Sequence, residues 1–524
     1  MMGARRRARR GLRVPHPRTA KLGPGFRNQA GFARLTLFRS STCEVLVVHA
    51  NPLSPSWLAP PANAAALPAH VWPSSAARTA DGAIAIAGVA LPQLAAEFGT
   101  PLYVIDEADA RARASRTRAA FTTAAAAYGT TAVVYYAGKA FFCTEAARWM
   151  AAEGLNIDVA SGGELAVALA AGVEPARLGL HGNNKSLAEI DRAVGVGVGA
   201  IVIDSLIEIE RVADAAERHG RVQPVRLRIN SGVHAHTHEY LATAREDQKF
   251  GISISDAPDA VAAIRARPTL RFLGLHSHIG SQIFAVEGFL EAARRLLTLH
   301  ATVRATGDVP ELNLGGGFGI AYVESDTAPA IERVAEALLG AVAAVCGELG
   351  IPMPRVAVEP GRIIIGPAGL TLYEVGTTKD VVVTIDDSTS AVRRYVSVDG
   401  GMSDNVRPAL YGADYSVALA SRLSPADPVL VRVAGKHCES GDIVVRDAYL
   451  PGDTAPGDLV AVPATGAYCF SLASNYNYLA RPAVVAVRDG VARVIVRGET
   501  ETDLLRRDMF VTHPHANHPQ GETS

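Results

Sequence analysis

Between residues 132 and 358 the chain repeats one pattern eight times: a short β-rich run, a polar or Gly-bearing turn, then an amphipathic stretch. The runs are Ala132–Tyr136, Asn156–Val159, Arg177–Leu180, Ala200–Ile203, Val225–Ile229, Phe272–His276, Glu311–Leu314 and Val356–Val358. Stretches such as Gly163–Ala171, Leu206–His219, Phe289–Thr306 and Ile331–Leu349 lie between them. Connections that long permit parallel crossovers, which a hairpin turn does not. Eight β/α units in about 230 residues predict a closed (β/α)8 barrel, with an open doubly wound sheet as the weaker alternative.

Beyond Gly369 the helical periodicity fades. Thr371–Val375, Val381–Ile385, Val429–Val433, Asp458–Val462 and Val484–Arg488 are short β-rich runs separated by turn residues, which predict an all-β domain. The expected organisation is α/β plus all-β. Residues 1–70 form a basic leader and Pro-rich linker, and 71–114 a segment packing with the β-domain. The TIM-like barrel occupies 115–370, a β-sandwich or barrel-like domain 371–512, and a disordered tail 513–524.

Charge supports splitting off the leader. The first 43 residues hold ten Arg, one Lys and no acid, a charge of +11; the rest holds 40 bases against 52 acids, or −12. The formal net charge of −1 is the sum of two unlike parts. An acidic body argues against nucleic acid as the main partner, because phosphate contacts need clustered cations. The leader reads as a disordered arm or an over-extended start; an RNA-binding arm is the alternative. It lacks the apolar stretch of a signal peptide, and the longest apolar run, Ala83 to Ala96, is interrupted by Pro92, so no membrane span is expected. Five scattered cysteines (Cys43, Cys143, Cys346, Cys438, Cys469) make neither a disulfide framework nor a zinc site, and a reducing cytoplasm is the expected compartment.

Catalytic groups of such barrels sit just past the C-terminal ends of the strands. Reading there gives Lys139, Asp158 with Ser161, His181, Asp204, Asn230, His278, Gly315–Gly317 and Glu359. The body has only five lysines, and Lys139 follows an apolar strand directly, a position suited to an amine nucleophile; a solvated strand-end lysine is the bland reading. The run Gly315-Gly316-Gly317-Phe318-Gly319 lets backbone N–H groups approach a phosphate, or is a tight structural turn. His278-Ile279-Gly280-Ser281-Gln282 can add a hydroxyl and an imidazole face. Glu359-Pro360-Gly361-Arg362 offers a carboxylate for a pyridinium N–H, or a structural ion pair. His234, His236 and His238 alternate as metal ligands could, but no Cys or carboxylate cluster accompanies them, and no metal is expected. Cys438 lies in a turn beside carboxylates, where core packing does not explain it. Tyr468 is ambiguous alone.

Together these motifs resemble diaminopimelate decarboxylase, of the alanine-racemase-like, fold-type III class of pyridoxal-phosphate enzymes. The matching text is Tyr136-Ala137-Gly138-Lys139-Ala140, Asp158 to Leu165, Ala235-His236-Thr237-His238-Glu239, His278 to Gln282 and Gly315 to Gly319. It continues with Glu359 to Arg362, Arg407-Pro408-Ala409-Leu410-Tyr411, Cys438 to Asp442 and Gly466-Ala467-Tyr468. These occur in the family's order from about Val71 to Phe510. The resemblance implies that Lys139 binds pyridoxal 5'-phosphate covalently. His278 stacks on the ring, Ser281 and Gly317 hold the phosphate, Glu359 pairs with the pyridine nitrogen, and Gly361 and Arg362 also bind the cofactor. Arg362, Arg407 and Tyr411 bind the far end of the substrate, Glu439 its distal ammonium, and Tyr468 both cofactor and substrate. Cys438 is implied as the proton donor, reaching the partner's barrel in a homodimer with shared sites. The implied reaction is decarboxylation of meso-2,6-diaminopimelate to L-lysine, the last step of lysine biosynthesis. An ornithine- or arginine-type decarboxylase, a racemase and a non-catalytic cofactor-binding homologue are the alternatives. Arg407 and Glu439 favour diaminopimelate over diamine-forming relatives, and the presence of Lys139 and Cys438 disfavours a non-catalytic homologue.

Overall fold

A computed structural model describes residues 51–233 and 248–509. The leader to residue 50, the His234, His236 and His238 loop with the Ala235–Glu239 motif, and the tail from 510 lie outside the described residues.

The eight repeated runs are the eight strands of a parallel barrel: Ala132–Ala137, Asn156–Val159, Leu178–Leu180, Ala200–Ile203, Gln223–Asn230, Leu270–His276, Glu311–Asn313 and Arg355–Val358. Each pairs with the next, and Val356 lies opposite Ala132, closing the ring. The crossover helices cover it with one apolar stripe each. Leu206–Arg218, for example, buries Ile209, Val212, Ala213 and Ala216, three or four residues apart on one face. Starts are fixed locally: Ser186 and Glu189 form a reciprocal capping box on the helix Leu187–Val196.

Two buried ion pairs are part of the barrel itself. Arg226 donates to Glu311 and, at 2.7 Å, to the Tyr135 hydroxyl, while Glu311 also takes Arg355. Lys185 sits 3.1 Å from Glu208 and donates to the carbonyls of Gly182 and Val202. This second lysine therefore has a structural explanation.

The other large sheet runs in the order Ile443–Pro451, Pro428–Ala434, Ser390–Val398, Gly369–Thr384, Leu102–Asp106, Ala483–Arg488, Val491–Val496, with Leu459–Pro463 also pairing to Gly369–Thr384. The sequence runs Thr371–Val375 and, up to Thr384, Val381–Ile385 belong to this one 16-residue strand, and a register shift between Val375 and Thr377 absorbs the turn-like residues. Leu102–Asp106 is an inner strand, antiparallel to Gly369–Thr384 and parallel to Ala483–Arg488. The helix that follows it, Glu107–Ala126, buries Ala110, Ala114 and Phe121 in the barrel's core cluster. The barrel and the sheet thus share one N-terminal connection. Among the described residues no helix is long and apolar enough to cross a membrane.

Candidate active site

The C-terminal ends of the barrel strands open on a cavity of about 760 Å³, walled on its far side by the β-domain. The barrel contributes Lys139, Glu164, His278, Ser281, Gly317, Glu359, Gly361 and Arg362; the β-domain contributes Arg407, Tyr411, Tyr468 and Leu472. Of the strand-end candidates, Asp158, Ser161, His181, Asp204 and Asn230 are not among the lining residues, and neither are Cys438 and Glu439, which are exposed on the turn between Pro428–Ala434 and Ile443–Pro451.

Lys139 stands on a single 3-10 turn, Gly138–Ala140, immediately after the first barrel strand. A loop from the β-domain braces that turn: the Tyr468 N–H and the Ser471 hydroxyl donate to the Ala140 carbonyl at 2.8 and 3.2 Å. Among the described residues no carboxylate lies within 4 Å of the Lys139 ammonium, so its amine is not tied up in an ion pair.

The glycine run works by close approach. A Cβ on Gly316 would lie 2.0 Å from the Glu359 carbonyl, and one on Gly317, at φ +110°, 2.3 Å from that of Gly280. Only glycine lets these three loops meet. The Gly316 N–H donates to His278 Nδ1 at 3.2 Å, which orients the imidazole. Burial, followed by the charge of Lys139, holds the His278 ring well below its usual pKa, so it is a neutral flat face. Ser281 Oγ accepts from Arg362 Nη2 at 2.7 Å, leaving its own proton for an acceptor elsewhere.

Glu359 is the electrostatic centre of the cavity floor. Its Oε1 accepts from Asn313 Nδ2 at 2.8 Å and lies 3.0 Å from His276 Nε2 and 3.6 Å from His181 Nε2. Burial alone would raise its carboxyl, but His276 and His181 outweigh burial and hold it well below the carboxylate range. Asp158, 3.0 Å from His181, moves the other way: burial and the Glu359 charge push it well above 3.8. Their surroundings thus drive the pKa values of two neighbouring carboxyls apart, Glu359 down and Asp158 up.

These groups fit pyridoxal phosphate. A free primary amine, a neutral imidazole face, a hydroxyl beside a glycine cradle and a buried anion suit a carbonyl, a ring, a phosphate and a pyridine nitrogen in turn. His181, His276 and Glu359 each bring a ligand atom to within 4.8 Å of the others, a spacing a metal ion could use. The Glu359 oxygen there already takes the Asn313 N–H.

Sequence reading missed three residues here. His276 is the last residue of a strand and reads as part of it. Glu164 lines the cavity while its Oε2 accepts from the Ala160 N–H at 2.6 Å; the Ser161-Gly162-Gly163-Glu164 pattern reads as a helix cap and hides it. Tyr322 lies in a loop with no motif.

The barrel and this donor set define a pyridoxal-phosphate-dependent decarboxylase of the fold-type III class. The sequence profile of the pyridoxal-dependent decarboxylase, pyridoxal binding domain, matches residues 114–366. Diaminopimelate decarboxylase of Mycobacterium tuberculosis is 54% identical over 445 residues, 83% of this chain and 97% of the relative; that of Staphylococcus aureus is 43% identical, covering 82% and 98%. The crystal structure of diaminopimelate decarboxylase from M. jannaschii in complex with L-lysine matches with a TM-score of 0.76 at 30% identity, over 84% of this chain and 98% of that one. The chain belongs to the diaminopimelate decarboxylase family.

Proposed function

We propose that this chain decarboxylates meso-2,6-diaminopimelate to L-lysine and carbon dioxide, the last step of lysine biosynthesis, with pyridoxal 5'-phosphate as cofactor. One observation carries the reading. A single cavity joins an unpaired lysine amine and an ionised buried glutamate to two buried guanidiniums, Arg362 and Arg407, that have no carboxylate within 4 Å among the described residues.

Lys139 offers the amine to which the cofactor attaches. His278 presents its neutral face to the ring; the Ser281 hydroxyl and the backbone at Gly317 and Gly361 hold the phosphate, with Arg362 beside them. Bound there, the cofactor supplies an electron sink for the pair released when the Cα–carboxylate bond breaks. Glu359, kept ionised by His276 and His181, holds a proton on the pyridine nitrogen. Arg362, Arg407 and Tyr411 receive the substrate's second carboxylate, which a diamine-forming relative has no need to bind. Tyr468, whose ring centroid lies 4.5 Å from the Arg362 guanidinium carbon, would touch both cofactor and substrate.

Cys438 and Glu439 enter from a second copy of the chain. Their turn is rigid: the His437 and Met402 N–H groups donate to Asp442 at 2.8 and 2.6 Å, and the His437 ring stacks on Tyr476 at 5.5 Å. The tip is nevertheless exposed and outside its own cavity. In a homodimer with shared sites, the Cys438 thiol delivers a proton to Cα and Glu439 reads the distal ammonium. Four free cysteines among the described residues fit a reducing compartment, and we place the enzyme in the cytoplasm.

Purified chain is incubated with pyridoxal phosphate and meso-diaminopimelate, ornithine or arginine, and carbon dioxide is measured. Release from diaminopimelate, lost in Lys139→Ala, is expected; turnover of ornithine or arginine alone overturns the reading.

A further inference from the structure

Arg362 and Arg407 are nine-tenths buried, face one cavity, and lack acidic partners within 4 Å among the described residues. Two guanidiniums in that situation repel each other and pay for desolvation without a counter-ion. Something must hold them side by side, and Tyr322 touches both. Arg362 Nη1 donates to the Tyr322 hydroxyl. The Arg407 guanidinium lies over the face of the same ring, 4.5 Å from its centroid, where the π-cloud attracts a cation.

The tyrosine is itself fixed. It is 5% exposed, and the N–H groups of Tyr322 and Val323 donate to Asp326 Oδ2 at 2.8 and 3.2 Å. Its carbonyl accepts from the Ser416 N–H at 3.0 Å. Tyr415 packs edge-on against its ring at 5.0 Å and accepts from Arg407 Nη1. Meanwhile Arg362 Nε and Arg407 Nε have no protein acceptor, and the Tyr322 hydroxyl proton is given to none among the described residues. The arrangement sets two positive charges and the Tyr322 hydroxyl on one region of the cavity wall, which is what a carboxylate needs.

We propose that Tyr322 is a specificity-determining residue that sets Arg362 and Arg407 in register to receive the substrate's second carboxylate. This rests on the assignment of Arg362 and Arg407 to that carboxylate. Burial keeps the phenol protonated, so it remains a donor at neutral pH. Tyr322→Phe keeps the ring face under Arg407 but removes the acceptor of Arg362; Tyr322→Leu removes both.

The test uses cofactor-loaded enzyme and two competitive inhibitors, L-lysine and cadaverine, the same diamine without a carboxylate. Tyr322→Phe should weaken lysine by about tenfold, the loss of one charge-assisted hydrogen bond, while cadaverine moves less than about twofold. Tyr322→Leu should weaken lysine further. The KM for meso-diaminopimelate should rise by a larger factor than kcat falls, and the absorbance spectrum of the bound cofactor should stay as in the wild type. Parallel shifts for lysine and cadaverine, or no shift for lysine, overturn the proposal. Arg407→Leu separates the two readings. If it loses lysine while Tyr322→Phe does not, only the role of Tyr322 fails; if it too leaves lysine unchanged, the assignment of Arg407 fails with it.

Discussion

Asp158 and Glu359 both approach His181 Nε2, at 3.0 and 3.6 Å, both are buried, and their environments drive their pKa values apart. Replacing each with its neutral amide asks which one carries the charge. Asp158→Asn exchanges an acid whose pKa is raised for an amide of nearly the same shape. Between 3.8 and its raised folded pKa, the unfolded chain gives up the Asp158 proton and the folded chain keeps it. Its contribution to stability is therefore full below 3.8 and declines as pH rises, by up to about 1.4 kcal/mol per pH unit. The variant lacks that decline. Asp158→Asn should be near neutral at about pH 4 and more stable than wild type at about pH 7. Glu359 has the opposite sign. Burial raises it, but His276 and His181 bring it well below 4.5, so its contribution is present above 4.5 and is lost as pH falls. Glu359→Gln takes away the anion that faces His276 at 3.0 Å and accepts from Asn313 at 2.8 Å, at a cost of roughly 1–3 kcal/mol near pH 7. Urea unfolding of cofactor-free protein, at one protein concentration and across that pH range, measures both. Equal destabilisation by the two amides at neutral pH, or a gain for Asp158→Asn that does not grow with pH, would refute the opposed shifts.

Three further outcomes are expected. Lys139→Ala and Cys438→Ala, each inactive alone, should recover up to about one quarter of wild-type activity when mixed and re-equilibrated, because half of randomly paired dimers hold one intact site of two; no recovery in proven heterodimers sinks the shared site. Ser281→Ala should raise the cofactor's dissociation constant by about tenfold in an absorbance titration, since it removes one hydrogen bond to an anion. Gly316→Ala places a Cβ 2.0 Å from the Glu359 carbonyl and should lower stability by roughly 1–3 kcal/mol and weaken cofactor binding, read by thermal melts with and without cofactor. An unchanged melt would mean that the loops move apart freely.

The barrel was legible because its strands are buried on both faces and read as nearly unbroken apolar runs, each followed by a stretch of different period. The β-domain was less so, for a physical reason. Ser390–Val398 and Ile443–Pro451 interrupt their apolar residues with Arg393, Arg394, Arg446 and Asp447, and the structure pairs Arg393 with Asp447 at 2.9 Å and Arg394 with Asp380 at 2.7 Å. Such pairs are visible only once the sheet is assembled, since Pro428–Ala434 lies between the strands of Arg393 and Asp447. Likewise nothing local to Leu102–Asp106 announces that its neighbours are Gly369–Thr384 and Ala483–Arg488, more than 250 residues away.

The site divides along the same line. Lys139, His278, Gly317 and Glu359 follow strands, so the barrel rule finds them without knowing any contact. His276 and Tyr322 act through other side chains, Glu359 in one case and two guanidiniums in the other, and a residue whose partners lie 40 to 85 positions away leaves no spacing to read. Cys438 and Glu439 pose a different problem, because even the folded chain does not bring them to the cavity. Their turn is held by the His437–Asp442 contact at 3.0 Å and by stacking on Tyr476, yet its tip touches little of its own subunit beyond the Asn477 side chain, 3.2 Å from the Cys438 N–H. Rigidity at an exposed tip stabilises nothing that the tip itself contacts. It lowers the entropy lost when the tip is inserted elsewhere, which is the physical case for a partner's barrel as its destination.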